Sequence, residues 1–201
     1  MRGTALTNGP DRRRIAFESG LEWKAIHVLL ARLDVIYIEE QVEAVYFTDG
    51  LGRKRERYFD FRVTLADGSR VLVAVKPEEK ALRDDLDGEH HTIASQIDPA
   101  IADRIVRISE HHLPREVVRD AQLMRMVRRD QRPDVDQALA DIVTTLQGIT
   151  TIGDLVRASE LKGAAFRGVV RLIGDGTLRI IGPRGIGYAT RVERAFVSGD
   201  A

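Results

Sequence analysis

The stretch from Tyr58 to Lys76, YFDFRVTLADGSRVLVAVK, is the strongest constraint on how this chain can fold. Phe59, Phe61, Val63 and Leu65 alternate with Tyr58, Asp60, Arg62 and Thr64, which is the period of a half-buried strand. Val71, Val73 and Val75 repeat that period beyond Asp67-Gly68, so the stretch reads as a β-hairpin. The turn sets the register. A two-residue loop at Asp67-Gly68 would pair Ala66 with Ser69 and turn Lys76 away from Asp60. A loop of Ala66-Asp67-Gly68, with Gly68 at positive φ, pairs Leu65 with Ser69. Asp60 then lies opposite Ala74, with Lys76 diagonal to it on the same face. This second register sorts both strands into an apolar face (Phe59, Phe61, Val63, Leu65 with Val71, Val73, Val75) and a polar one, and is the one expected.

An aspartate and a lysine on adjacent strand ends, separated by a position that could hold an acid, match the PD…(D/E)xK arrangement of nucleases. Acids there hold a divalent cation through hard oxygen ligands. The lysine orients the attacking water and offsets phosphate charge. Here Ala74 occupies the middle acid position and Phe59 the proline position.

The chain has 201 residues, enough for one large or two small domains, and its hydrophobic content of 43% is enough for a packed core. Its zero net charge hides segregation. Residues 104–132 hold eight Arg against four acids, residues 160–194 hold seven Lys or Arg against three acids, and residues 78–90 hold six acids against two bases. Basic segments suit polyanions, although each also fits a solvated helix face. The absence of cysteine excludes disulfides and thiolate zinc sites. No apolar run approaches the roughly 20 residues of a membrane span. Met1 to Arg14 lacks the apolar segment of a secretory signal, so a cytoplasmic location is expected. Residues 1–14 read as a flexible basic arm.

A helix is expected from Ile15 to Asp34. Ser19 and Glu22 have capping-box spacing, so Glu22 reads either as a cap or as a metal-ligating acid facing the hairpin. Val35–Glu39 and the Val42/Ala44/Tyr46 alternation suggest strands, with a turn at 48–52. Pro77 ends the second hairpin strand, because proline cannot continue a central ladder. Glu78 to Ile97 reads as one helix with His90 and His91 on its surface. His111 and His112 read as surface residues too. Residues 101–108 suggest an edge strand, and residues 115–129 a helix.

The last third predicts helices over 134–146, 152–158 and 162–173, the second capped by Thr151. A hairpin follows, 177–181 and 188–192, around a tip at 182–185. Helices followed by a hairpin suit a winged helix, with the third helix in a DNA groove and the wing along the backbone. Lys162, Arg167, Arg171 and Arg184 are the expected DNA contacts. A packing domain that binds protein is the other reading of the same pattern.

Phe17-Glu-Ser-Gly-Leu-Glu22, Ile38-Glu-Glu-Gln41 and Tyr58 to Lys76, in that order, resemble the N-terminal domain of TnsA-type transposon endonucleases. The resemblance covers roughly residues 15–130 by motif order. It implies an α/β restriction-endonuclease-like domain at 15–118, followed by a smaller, helical winged-helix-like domain at 119–201. It implies metal-dependent DNA cleavage with Glu22 and Asp60 as ligands of Mg²⁺ or Mn²⁺, weakly held, and Lys76 as the catalytic lysine. It further implies double-stranded DNA and a transposase- or integrase-like protein as partners, in a mobile element or prophage. Gln41 matches a recurrent glutamine without an assigned role. Ala74 departs from the family's Glu or Gln, and a non-catalytic DNA-binding or assembly protein, or a regulator that uses only the winged helix, is the alternative.

Overall fold

The computed structural model describes residues 1–8 and 12–195. Part of the expected arm, residues 9–11, lies outside the described residues. The chain divides into two compact units: Met1–Leu30 with Asp34–Pro114, and Ala31–Leu33 with the residues from Arg115 on.

The first unit begins with a correction to the arm. β1 (Gly3–Leu6) pairs antiparallel with β2 (Arg14–Phe17). Ala5, Ile15 and Phe17 are buried, and the alternation that buries them makes these residues strands. The first helix, α1 (Gly20–Ala31), therefore starts later than expected, after Ser19. β3 (Val35–Glu40) follows, then Gln41 in a left-handed conformation, φ 56°. β4 (Val45–Thr48) pairs with β5 (Lys54–Arg57), a strand the sequence reading left unassigned.

The organising hairpin comes next as β6 (Phe61–Leu65) and β7 (Arg70–Val75). Its register pairs Phe61 with Val73 and Thr64 with Arg70, the bulged three-residue form. Gly68 has φ 85°, where a side chain would be strained, and its N–H donates to Leu65 O at 2.9 Å. β8 (Arg104–Ile108) adds parallel to β7, making a mixed sheet in the order β3-β6-β7-β8. Position β7 in that order explains its composition. It is flanked on both sides, and the five residues Val71–Val75 are all buried. The face expected to be polar is in fact a second core: Leu72 and Ala74 pack with Val42, Val45, Phe47, Phe59, Ile93 and Ala102. The expected pairing of Asp60 with Ala74 does not form: the ladder ends at Phe61 opposite Val73, and Asp60 N–H donates to Val73 O, so the strand slips by one residue and Phe59 belongs to this side, not with Phe61 and Val63.

The single helix expected over 78–97 is two: α2 (Glu78–Arg83) and α3 (Leu86–Ala94), broken at Asp85, whose φ is 46°. A 3-10 turn, Glu110–His112, leads out of β8. Its His111 and His112 are exposed, as is His91, but His90 is buried.

In the second unit, α4 (Arg115–Arg128), α5 (Pro133–Thr144), β9 (Ile149–Thr151), α6 (Ile152–Ser159), α7 (Lys162–Gly174), β10 (Leu178–Ile181) and β11 (Arg191–Arg194) follow in order. The strands form one antiparallel sheet, β10-β11-β9. Thr151 caps α6 through its hydroxyl, which accepts from Asp154 N–H at 3.1 Å. Ala165, Val169 and Val170 of α7 pack with Val127, Leu139, Val143, Ile152, Leu155 and Val192. Among the described residues, no helix is long and apolar enough to cross a membrane.

Candidate functional site

Asp60 stands just before β6, and the sheet holds it from two directions. Its N–H donates to Val73 O at 3.0 Å, and its Oδ2 accepts from Val75 N–H at 2.7 Å. Lys76 is fixed in turn: its N–H donates to Ile108 O of β8 at 3.0 Å. Lys76 Nζ then lies 3.1 Å from both carboxylate oxygens of Asp60. The two side chains retain 26% and 18% of their exposure, so the pair sits at a rim and is not sealed in the core. The sequence pattern thus correctly brings Asp60 and Lys76 together.

Ala74, between them, retains 1% of its exposure. Its register neighbour on β8 is Arg107, which sequence reasoning missed. Arg107 donates to Glu78 at 2.7 and 3.3 Å and to Asp87 at 2.8 and 2.9 Å. These hydrogen bonds, Asp87's first and Glu78's second, drive the guanidinium pKa further above its ordinary value. The same contact holds the carboxyls of Glu78 and Asp87 below their usual range. Glu78, an acid that could have reached back toward Asp60, is instead committed to Arg107. In the sequence Arg107 shows only as a charged residue inside an apolar strand, and nothing there tells that β8 is parallel.

His90, on α3, is the second missed residue. Its ring lies 5.6 Å from that of Phe59, and its Nε2 has no hydrogen-bond partner among the described residues. Burial first, and then the charge of Arg57, lower its pKa. Asp87 opposes this, while Arg107 and Lys76 add to it.

Glu22 serves its own helix start. Its Oε2 accepts from Glu18 N–H at 2.8 Å and its Oε1 from Ser19 Oγ at 2.9 Å, while its N–H donates to Ser19 Oγ at 3.1 Å. This is capping-box geometry reached one residue further back. Asp60 is likewise engaged by Lys76 and Val75, and Ala74 offers no ligand. Among the described residues, no three His, Cys, Asp or Glu gather as a metal group. The protein's own donors are therefore a poor fit to Mg²⁺, which needs carboxylates or phosphate oxygens to stay bound.

In the second unit, Lys162, Arg167 and Arg184 are exposed. Arg167 pairs with Asp130 at 3.0 Å. Arg171 is a correction. It is 8% exposed, and its guanidinium donates to Asp136 at 2.5 to 3.0 Å and to Asp130 O at 2.8 Å. Spacing four residues from Arg167 suggested a shared outer face, but Arg171 turns toward α5 and ties α7 to it. Asp120, buried on α4, accepts from Gly185 N–H at 2.9 Å and Ile186 N–H at 2.8 Å, and so pins the loop that carries Arg184.

Comparison of the chain with protein-family models and with curated proteins finds no match to either.

Proposed function

We propose that this chain is a DNA-binding protein of the TnsA-like, restriction-endonuclease-like kind, whose Asp60–Lys76 site engages a phosphodiester and hydrolyses it feebly or not at all. The observation that carries this reading is the geometry at the open end of the hairpin: Lys76 Nζ lies 3.1 Å from both carboxylate oxygens of Asp60, whose Oδ2 also accepts from Val75 N–H at 2.7 Å. A lysine there neutralises phosphate charge and orients water, and the aspartate is an acceptor for the water's proton. Mg²⁺ or Mn²⁺ would bind weakly through Asp60, with DNA phosphate supplying oxygens that Ala74 does not; when bound, it would lower the charge barrier to attack on phosphorus.

Three features support a non-catalytic assembly role as the second reading. Ala74 lies in an apolar core, Arg107 brings a cation rather than an acid beside it, and Glu22 is spent on its cap.

The order of helices, short strand and closing hairpin in the second unit supports a winged-helix reading, with Lys162, Arg167 and Arg184 toward DNA and Arg171 as internal structure. A transposase- or integrase-like partner rests on the family resemblance alone.

A plasmid-nicking assay in Mn²⁺ tests the proposal. Weak nicking by the wild type should disappear in Asp60→Asn and Lys76→Ala, and DNA binding should persist in both. Robust nicking that survives Asp60→Asn would place the chemistry elsewhere and overturn the proposal.

A further inference from the structure

We propose that the cleft where β5, Tyr58 and α2 meet is a nucleotide subsite, in which Arg57, Lys76 and Lys80 hold a phosphate of a DNA strand and Tyr58 packs on its base. This rests on reading the chain as DNA-binding and names the part of the strand its first unit would take. The cavity measures about 320 Å³ and is lined by Glu56, Arg57, Tyr58, Lys76, Lys80, Asp84 and Leu86. That is the small end of the range for ligand pockets, the size of one nucleotide and too small for a base pair.

Its lining has one charge pattern with two parts. Arg57, Lys76 and Lys80 are cations; Glu56 and Asp84 are acids. Two of the cations are already balanced, Lys76 by Asp60 and Arg57 by Glu89 at 3.1 Å. Asp84 is held by Arg83 at 3.0 Å. A bare anion would meet the acids as well as the cations. A nucleotide presents both signs of partner: phosphate oxygens for the ammonium and guanidinium groups, and base N–H donors for Glu56 or Asp84.

Two further observations fit this occupant. Arg57 Nε is buried and has no hydrogen-bond partner among the described residues, which leaves this guanidinium a donor unspent there. Tyr58 is 61% exposed, an aromatic face offered to solvent beside cations, as in single-strand binding sites.

The test is fluorescence anisotropy of the full chain in EDTA, so that no cleavage or metal enters. The probes are a short oligothymidine single strand and a duplex of equal length. Tyr58→Ala should weaken the single strand about tenfold, the scale of one base–aromatic stack. Lys80→Ala should weaken it too and lower its salt slope by about 0.7, one phosphate contact on a single strand. Duplex affinity should stay unchanged in both. Inorganic phosphate should fail to displace the oligonucleotide at matched ionic strength. If the duplex binds but neither variant changes single-strand affinity, the subsite is wrong while the DNA-binding reading stands. If the wild type binds neither probe, both fall. Displacement by inorganic phosphate alone would make the cleft a simple anion site and overturn the nucleotide assignment.

Discussion

Ala74 decides how the site is read at the scale of single residues. Its methyl lies in a core with Phe59, Leu72 and Ile93, and Arg107 stands beside it in register. Ala74→Glu should therefore cost about 1–3 kcal/mol by overpacking, within the 5–15 kcal/mol of a typical domain. The folded variant gains a carboxylate on β7 two residues before Lys76, and plasmid nicking in Mn²⁺ should rise. No gain in a variant that still melts cooperatively and binds DNA would favour the non-catalytic reading. His90 makes a second prediction at this scale. Burial and neighbouring cations lower its folded pKa below the unfolded value of about 6.5. Between the two values the unfolded chain binds the extra proton, so stability is complete above about 6.5 and declines as pH falls toward the folded value. Urea unfolding should show a slope of up to about 1.4 kcal/mol per pH unit there, and His90→Leu should flatten it. The adjacent His90-His91 pair hid this difference: two histidines on one helix look alike until a core is placed under one face.

Elements were legible where a local pattern specified them. The turn at Ala66-Asp67-Gly68 was decided by one glycine and by the alternation on both flanks, and β6 and β7 have that register. The spans of α4, α5, α6 and α7 likewise follow from helical periodicity and from Thr151 at a cap. Illegible were features set at long range. The neighbour of β7 on its open side comes from thirty residues further on by a parallel crossover, so neither the double burial of Leu72 and Ala74 nor the placing of Arg107 had a local sign. Short β1, β5 and β9 carry too few residues for a period to show. Two long-range contacts give predictions. A methyl on Gly168 would overlap Leu139 Cδ1 and press on Val135 Cγ1 at 3.1 Å, both buried. In an exposed helix Gly→Ala gains about 1 kcal/mol, but here overpacking should win, and Gly168→Ala should lower stability by about 1–2 kcal/mol in thermal or urea unfolding. Asp120→Ala strands the N–H groups of Gly185 and Ile186 and should cost about 1–3 kcal/mol, with faster amide exchange at both.

The whole molecule is two compact units, one a mixed α/β unit with its sheet flanked by helices, the other helices on a small antiparallel sheet. The division falls at Pro114, because α4 packs with α7 and so belongs to the second unit. The expected line after residue 118 cut through that helix. Zero net charge leaves no global attraction to DNA, so the proposed DNA binding would rest on local clusters. Replacing Lys162 or Arg184 by Ala should each lower the duplex salt slope by about 0.9, whereas Arg171→Ala should lower stability and leave that slope intact in the folded fraction. The proposed Asp60–Lys76 phosphodiester site is too poor in acids to hold a metal by itself. Calorimetric titration of Mn²⁺ into the protein, alone and with a duplex present, tests it most directly. No measurable binding to the protein alone is expected, with binding when DNA is present and loss of that binding in Asp60→Asn. Tight Mn²⁺ binding without DNA, or binding that Asp60→Asn leaves unchanged, would contradict it.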